Sequence, residues 1–337
     1  MQYLKKKHRT AVLLLLLGLV VLAGIALAVL TASNRKAEQA ASEVADGSIP
    51  VLAIPSDTVR KIQMEAQSGT LTLAYADGSW SLAEDPDYHL DESSCNAMLT
   101  AVSALNAKRE LQEAAGEDYG FSAPQATVTI TTDSGEETLG FGARNAVTGD
   151  VYLQKAGESA VYTVASSKLN CFLKDKAALF GAFSPAGLTS SAIEAVSYTL
   201  ADGETVSLKA MSEPVESAGS GTSEAASDST AYQTVWRLEN DPTADLDTDK
   251  TDAILTALSS YVSGQITPAD GADPAAAGFD TPLVTVQVTT AEKTVTLRYA
   301  SGMDGYYLMV EGDGSLYAVD QSTVQALLLP ENALKPE

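Results

Sequence analysis

The sequence contains few of the residues that build most catalytic and metal sites. Among its 337 residues there are two cysteines, two histidines and two tryptophans. Two cysteines cannot form a disulfide scaffold, and together with two histidines they are too few for a zinc ribbon or a histidine-rich metal site. We therefore expect this chain to have no catalytic residues, no cofactor and no metal ion.

Positive charge is also scarce beyond the amino terminus. The chain has 21 Lys and Arg against 44 Asp and Glu, a formal net charge of -23. Four of the cations, Lys5, Lys6, Lys7 and Arg9, lie within the first ten residues, which contain no acid. The rest of the chain is therefore strongly acidic. Because nucleic-acid affinity depends largely on Lys and Arg displacing counterions from phosphates, this composition excludes DNA and RNA as partners.

One long apolar run follows the cationic segment. Residues 11–30, AVLLLLLGLVVLAGIALAVL, contain no charge, and a helix of that length spans a hydrocarbon layer of roughly 30 Å. A cleaved signal peptide is the alternative, but its apolar region is normally only about 7–15 residues long. We predict a transmembrane helix at residues 11–31 that contacts the lipid bilayer, preceded by a tail at residues 1–10.

The orientation of this helix follows from the cationic tail. Lys and Arg beside a span stay preferentially on the cytoplasmic side, so we predict a single-pass protein of the cell membrane with a cytoplasmic amino terminus and an extracytoplasmic body. Residues 32–50 are small and polar, which is typical of a linker. Residues 212–230, rich in Ser, Gly, Ala and Glu, lack an apolar face and are predicted to form a mobile loop in an extended hairpin.

The remaining sequence repeats itself once. The segment Gly120-Phe121-Ser122-Ala123-Pro124 returns 158 residues later as Gly278-Phe279-Asp280-Thr281-Pro282. Other landmarks recur in the same order, with Trp80 matching Trp236 and Tyr152 matching Tyr307. Several matches in one order indicate a tandem duplication and not a short-period solenoid. We predict two repeat domains, at residues 51–182 and 188–330.

Local patterns predict an antiparallel α+β fold for each copy. Strands are expected at residues 59–66, 70–75 and 79–82, with a turn at Asp77-Gly78. Asp91 is expected to cap a helix with a stripe of Met98, Val102 and Leu105; in the second copy Asp247 or Thr248 is the cap, and Ile254, Leu258, Tyr261 and Val262 form the stripe. Closing helices are expected at residues 166–173 and 321–329. Neighbouring strands with segregated helices indicate α+β.

Three apparent site motifs have simpler interpretations. Residues 245–249 have the one, three, five acidic spacing of a calcium loop, but Lys250 and Thr256 stand where Gly and Glu are needed, so helix capping explains them better. Gly140-Phe141-Gly142 lacks the third glycine and the following helix of a nucleotide motif. No partner near His89 in the sequence suggests catalysis or metal binding, and a surface or capping role is expected.

The cysteines and tryptophans are interpreted as structural. Cys95 and Cys171 have no cysteine counterparts in the second copy, so two separate buried thiols are favoured, with a disulfide between them as the alternative. Trp80 and Trp236 recur at the same point of the strand meander, which favours core positions over a ligand platform. The tyrosines of the late strands, among them Tyr152 and Tyr307, could form a partner surface, although strand packing explains them equally.

The repeated pattern resembles the domain-of-unknown-function family numbered 4340, over most of residues 51–180 and more faintly over 188–329. The residues that carry the resemblance are Trp80, Tyr119, Gly120, Phe121 and Pro124, and, in the second copy, Trp236, Gly278, Phe279 and Pro282. The second copy departs from the pattern at Ala277, where the first has Tyr119. The resemblance implies a membrane-anchored bacterial extracytoplasmic protein, often encoded beside ABC-transporter and gliding-motility-type auxiliary components, with no assigned activity.

Three functions follow as hypotheses. The first is a non-enzymatic binding or assembly module accessory to an ABC-type transporter or another envelope complex. The second is a surface-exposed structural or glycan-binding envelope protein. The third is a hydrolase using carboxylates such as Asp85 and Asp87, which we disfavour because their spacing fits no helix or strand geometry for a paired-carboxylate site.

Overall fold

Alternating strands and glycine turns build two large antiparallel sheets with few helices. The structure, a computed structural model, describes residues 49–111, 117–214 and 231–336. These residues form two compact units. The first contains the described residues up to Ala76 together with Ser93–Asp175, and the second contains Asp77–Glu92 together with the described residues from Lys176 onward. The predicted domains, 51–182 and 188–330, have other boundaries than these two units. Whether each predicted domain folds alone stays a prediction.

The first unit is built mainly of short strands. Up to residue 164 the strands of the chain are β1 (Ile49–Ala53), β2 (Val59–Ala66), β3 (Gly69–Ala76), β4 (Ser79–Leu82), β5 (Ala104–Ala107), β6 (Arg109–Leu111), β7 (Ala126–Thr132), β8 (Gly135–Arg144), β9 (Val151–Lys155) and β10 (Val161–Val164). Seven strands of this unit form one sheet in the order β3-β2-β7-β8-β9-β10-β6. In addition, β1 pairs with β5. The predicted strands at 59–66, 70–75 and 79–82 are confirmed as β2, β3 and β4.

Each sheet has a buried inner face and an outer face. In β7 of the first unit, Val128 and Ile130 are fully buried while Thr127, Thr129 and Thr131 are half-exposed. This alternation follows from the two-residue period of a strand, which sends successive side chains to opposite faces. The outer face of the first unit therefore carries the threonines of β7 and the even-numbered residues of β8 and β9.

The second unit repeats this architecture. Its sheet contains β11 (Ile193–Leu200), β12 (Thr205–Pro214), β13 (Tyr232–Leu238), β14 (Gly264–Ile266), β15 (Val284–Thr290), β16 (Thr294–Gly302), β17 (Gly305–Val310) and β18 (Leu316–Val319). The strand order is β13-β12-β11-β15-β16-β17-β18-β14. From β12 onward this order matches that of the first unit strand for strand, as a duplication predicts. Its inner face carries Val284, Val286 and Val288, which are completely buried.

Four α-helices accompany the sheets in the described residues: α1 (Glu92–Ser103), α2 (Ser166–Asn170), α3 (Thr248–Ser259) and α4 (Gln321–Ala326). The Asp247 carboxylate accepts hydrogen bonds from the N–H groups of Asp249 (3.0 Å) and Lys250 (3.3 Å), which confirms the predicted cap. This bonding satisfies amides that have no partner within the helix. The acidic run at residues 245–249 thus includes a helix cap.

Both predicted helix stripes extend too far. Helix α1 ends at Ser103, so Leu105 lies in β5, where it is buried and pairs with Leu52 of β1. In the second unit α3 ends at Ser259; Val262 is buried beyond it, but Tyr261 is 70% exposed. The helical spacing of apolar residues continues past the carboxyl end of each helix, whereas the backbone beyond that end is no longer helical. Met98, Val102, Ile254 and Leu258 are buried as predicted.

Two predicted irregular segments begin or end in strands. Residues 212–214 lie in β12, because Pro214 pairs with Tyr232 and the Glu213 carboxylate accepts two hydrogen bonds from Arg237, at 3.0 and 3.1 Å. Residues 49 and 50 of the predicted linker lie in β1. The remainder of the 212–230 loop and residues 1–48, with the predicted tail at 1–10 and helix at 11–31, lie outside the described residues. None of the helices within the described residues has the length and apolar character of a membrane span.

The tryptophans and cysteines differ in their surroundings. Trp80 is 6% exposed, whereas Trp236 is half-buried and packs against the second unit's core. No disulfide joins Cys95, which is buried on α1, to Cys171, which follows α2. Burial is the main cause that raises the pKa of the Cys171 thiol to about 11. That thiol is therefore protonated at neutral pH and is a poor nucleophile.

Candidate functional site

The repeated Gly-Phe-x-x-Pro segment forms the same tight corner in both units. Gly120 and Gly278 have φ angles of 87° and 89°. A Cβ atom at Gly120 would lie 2.5 Å from the backbone nitrogen of Ala143, and one at Gly278 would lie 2.5 Å from the carbonyl oxygen of Ser301. Backbone atoms of a paired strand cannot move aside, and positive φ favours glycine. Each glycine is therefore required by the corner and needs no ligand to explain it.

In the first unit the corner places Phe121 on the outer face of the sheet. Glycines form the floor beneath it, since a Cβ atom at Gly140 would lie 3.8 Å from the Phe121 ring and one at Gly142 would lie 3.0 Å from it. The Tyr119 ring lies 4.7 Å from that of Tyr152 and 6.5 Å from that of Phe121, measured between ring centroids. The predicted motif residues Tyr119 and Phe121 thus join Tyr152 in one aromatic cluster.

An open cleft of about 230 Å³ lies beside the Phe121 ring. We call it the Phe121 cleft. Its wall is formed by Phe121 and Pro124, its floor by Gly140, and its polar sides by Thr127, Thr138, Gln154 and the turn at residues 155–158. Each of these residues belongs to the first unit. The corner, which positions the ring, and the sheet, which supplies the floor and polar side chains, together define the site.

The same position in the second unit is filled. Phe279, the counterpart of Phe121, is only 7% exposed and belongs to a small core with Ala277, Ala300 and Leu316. Tyr307 and Met309 pack against this core. A half-buried aromatic ring in one copy and a buried ring in the other show that the two outer faces are packed differently.

Strand register shows which residues differ between the two outer faces. Thr127 pairs with Gly140 in the first sheet, as Thr285 pairs with Arg298 in the second. The second unit therefore has arginine where the first has its glycine floor. By the same reasoning Gly140 pairs with Gln154 and Arg298 with Met309, so a methionine replaces the glutamine. At the corner, Ala277 replaces Tyr119.

Carboxylates neutralise the single ammonium group among the residues that line the cleft. Lys155 Nζ lies 3.0 Å from Glu137 Oε2 and 3.3 Å from Glu158 Oε1. The hydrogen bond to Glu137 is the largest cause that raises the pKa of Lys155, and the bond to Glu158 adds to it, against the lowering by burial. With one ammonium between two carboxylates, the cleft offers no excess positive charge to an anionic ligand.

A second polar cluster lies in the second unit. Lys176 Nζ donates to the carboxylates of Asp85, at 2.6 Å, and Asp270, while Thr267 Oγ1 also donates to Asp85. Asp85 is 3% exposed and Thr267 is fully buried. The same Lys176 Nζ lies 4.5 Å from the centroid of the Tyr88 ring, in a cation–π arrangement. We call these four polar residues, Asp85, Lys176, Thr267 and Asp270, the Lys176 network.

The charges of the Lys176 network fit a structural ion pair. Burial would raise the pKa of Asp270, but hydrogen bonds from Lys176 and Thr267 outweigh it and lower the pKa. Burial would lower the pKa of Lys176, but its bonds to Asp270 and Asp85 raise it. Both groups are therefore charged at neutral pH, so Asp270 is no proton donor and Lys176 no base. Thr267 has no exposed surface for a substrate.

The other residues that the sequence singled out make contacts within the fold that explain them without a ligand. His89 is exposed; its ring stacks on Phe183 with centroids 3.9 Å apart, and its Nδ1 lies 2.8 Å from the carbonyl oxygen of Gly181. Asp85 is not paired with Asp87 but contacts Lys176 and Thr267. Gly140-Phe141-Gly142 lies within β8. In the described part of the chain, no group of three or more His, Cys, Asp or Glu residues could hold a metal ion.

Inspection of the motifs alone misses that Gly140 lines the Phe121 cleft, because this residue enters only as part of a rejected nucleotide motif. The signal that could have identified it is the alignment of the two copies, which sets Gly140 against Arg298 and Gln154 against Met309. Loss of both the smallest residue and an amide from the second copy indicates that the two copies differ at the position of the Phe121 cleft.

Comparison with known proteins confirms the predicted resemblance. The family described as domain of unknown function (DUF4340) matches residues 80–235. This range begins at Trp80 and ends one residue before its counterpart Trp236, so it covers one period of the duplication; it does not reach residues 51–79 or 236–329, over which we had extended the resemblance. No curated protein and no solved structure gives a significant match.

Proposed function

We propose that this chain, which matches DUF4340 across one repeat period, is a membrane-anchored extracytoplasmic binding or assembly module without catalytic activity. The observation that carries the proposal is the Phe121 cleft, which is open in the first unit while its counterpart in the second unit is packed. The core contacts of each copy are sufficient to explain its fold, so they do not explain an open cleft in the first copy. A half-buried aromatic ring beside an open cleft with a glycine floor, where the second copy has a buried ring and an arginine, is better explained by a ligand than by stability.

The polar groups of the described residues support a non-enzymatic role. The best candidate for acid–base chemistry is the Lys176 network, whose ammonium group is held by two carboxylates and whose hydroxyl group is buried. The Cys171 thiol is protonated at neutral pH. Catalysis requires a nucleophile or base in reach of a substrate, and neither cluster provides one.

The proposal includes a membrane anchor formed by residues 11–31. Protease added to intact cells or spheroplasts should remove nearly all of the chain and leave a short amino-terminal fragment, since the cationic tail stays in the cytoplasm. Soluble protein beginning near Ser33 would instead show cleavage of a signal peptide, and the anchor would have to be withdrawn.

The partner that we propose is an envelope or ABC-type transporter complex, as the family resemblance implies. Co-purification of the full-length protein from gently solubilised membranes should recover it. Gly140→Arg, which introduces the residue of the second copy, should remove the partner. Thr131→Arg is the matched control, because it adds the same side chain to the outer face of β7 outside the lining of the cleft. Repeated recovery of the wild-type protein alone would contradict the proposal.

A second candidate function is a glycan-binding envelope protein. It is favoured by the composition of the Phe121 cleft, in which a phenylalanine and a proline face threonine hydroxyls and a glutamine amide. This candidate shares the binding surface of the first proposal and differs from it in the ligand.

A further inference from the structure

We infer that the Phe121 cleft binds one neutral sugar unit of a glycan. This inference rests on the proposed function of the cleft as a binding surface, and it chooses the glycan over the protein partner as the ligand of the cleft.

Size is the first reason. The cleft measures about 230 Å³, below the roughly 300–1,000 Å³ of pockets that enclose drug-sized ligands. It can take a single ring or one unit of a longer chain, while the rest of the ligand stays in solvent. Large cofactors and whole lipid molecules are too big for this volume.

The distribution of apolar and polar groups is the second reason. The Phe121 and Pro124 rings present flat apolar surfaces, which suit the C–H face of a sugar ring. The cleft is also lined by the Thr127 and Thr138 hydroxyls and the Gln154 amide, groups that can both donate and accept hydrogen bonds. The Thr138 Oγ1 lies 3.1 Å from Thr129 Oγ1, so one of its hydrogen bonds is made within the sheet. The Gln154 Nε2 donates to the carbonyl oxygen of Glu158 at 3.0 Å, which fixes the amide orientation. A sugar ring, with hydroxyls at its edge and carbon on its faces, has the complementary pattern.

Charge is the third reason, and it excludes anionic ligands. The ammonium of Lys155 lies between the carboxylates of Glu137 and Glu158, and the whole chain has a formal charge of -23. Phosphates and uronic acids would meet net negative charge in the cleft and in its surroundings. A neutral ligand avoids this repulsion.

Backbone pairing is the fourth reason, and it argues against an extended peptide. Peptides that add a strand to a sheet need unpaired backbone groups at an edge. The floor of the cleft belongs to β8 and β9, which pair with each other and with β7 and β10 on either side. Their backbone groups are used within the sheet, so recognition at the cleft must come from side chains.

The test is calorimetric titration of the purified full-length protein, kept in a detergent without a sugar headgroup. The probes are neutral oligomers of glucose and of N-acetylglucosamine, uronic-acid oligomers of the same length, and inorganic phosphate. We expect a neutral oligomer to bind and the anionic probes not to bind. Gly140→Arg should abolish binding because its side chain occupies the cleft. Gln154→Met should weaken binding about fivefold, as expected for one lost hydrogen bond.

The control is Thr131→Arg, which should bind like the wild type; thermal unfolding of all variants verifies that each is folded. Absence of neutral-oligomer binding by the wild type would overturn the inference, as would unchanged binding by a folded Gly140→Arg protein. If no oligosaccharide binds but Gly140→Arg still removes a co-purifying protein, the proposed function stands and the sugar inference falls. If neither probe nor partner depends on Gly140, both fall.

Discussion

The two outer faces of this protein share a backbone and differ in what covers it. Both units have the same order of seven strands and the same glycine corner. The first unit combines this corner with Gly140 and an open cleft, and the second combines it with Arg298 and a buried Phe279. The repeated motif residues therefore specify the corner, while the residues that are not repeated differ between a face with an open cleft beside the corner ring and a face with that ring buried.

The largest expected effect concerns a feature seen in the second unit, the Lys176 network. Lys176→Met leaves the Asp85 carboxylate buried without its ammonium partner and should lower the free energy of unfolding by about 3–5 kcal/mol. Lys155→Met in the first unit is the matched control, since the carboxylates beside Lys155 are 38% and 46% exposed; it should cost less than about 1 kcal/mol. Urea denaturation measures both, and equal losses would show that burial does not distinguish the two clusters.

A second comparison separates the tryptophans, which the sequence treats as equivalent. Trp80→Ala should cost about 3–5 kcal/mol, because its ring is 6% exposed. Trp236→Ala should cost less, about 2 kcal/mol, because half-burial removes only part of the ring from water. Fluorescence quenching of the single-tryptophan proteins checks the exposure directly. A Trp236 ring as protected from quencher as Trp80 would contradict this ranking.

The glycine corners should respond alike in both units. Gly120→Ala and Gly278→Ala combine positive φ with a Cβ atom 2.5 Å from backbone, so each should cost about 2–4 kcal/mol. Gly203→Ala is the control, because Gly203 has a φ of 93° but no atom within 4 Å of an added Cβ; it should cost about 1 kcal/mol. Denaturation curves test this, and a corner variant as stable as Gly203→Ala would show that the corner relaxes.

The smallest expected effect is the dependence of the Lys176 network on pH. The folded pKa of Asp270 is lowered, so its contribution to stability is present above its unfolded pKa of about 3.9 and is lost as pH falls through the lower folded value. The stability difference between wild type and Lys176→Met should therefore shrink below about pH 4. Urea denaturation between neutral and acidic pH measures it, and a constant difference would contradict the assignment of charge.

Local features of the sequence predict those elements whose bonding is local. Strands β2, β3 and β4 follow from alternation and from Asp77-Gly78, whose φ angles of 54° and 85° suit the tight hairpin turn. The α3 cap follows from Asp247. The end of α1 was not predicted because β5 pairs with β1, about fifty residues earlier in the chain, and that pairing leaves no trace in the spacing of nearby apolar residues. Beyond α3, the Val262 N–H donates to the carbonyl oxygen of Phe183, which is also distant in the sequence.

Distant contacts were not predictable from single motifs. Asp85 meets Thr267, which lies 182 residues away, and nothing in either segment indicates the other. For the same reason, a prediction of two consecutive domains does not place Asp77–Glu92 in the second unit. The corner residues Gly120, Phe121 and Pro124 were identified because they recur, while the cleft beside them depends on Gly140, a residue that does not.

The most direct test of the difference between the two outer faces is photo-crosslinking in intact cells from equivalent positions of the two units. Ala156 lines the cleft, and Glu311 is its counterpart, since their N–H groups donate to the equivalent carbonyl oxygens of Thr138 and Thr296. A photoreactive residue at position 156 should form an adduct, detected by mass spectrometry, that Gly140→Arg removes and Thr131→Arg leaves intact. The same residue at position 311 should form none. Equal adducts from both positions, or an adduct at 156 that survives Gly140→Arg, would contradict the claim that, of the two equivalent positions beside the corner phenylalanine, only the one in the first unit binds a ligand.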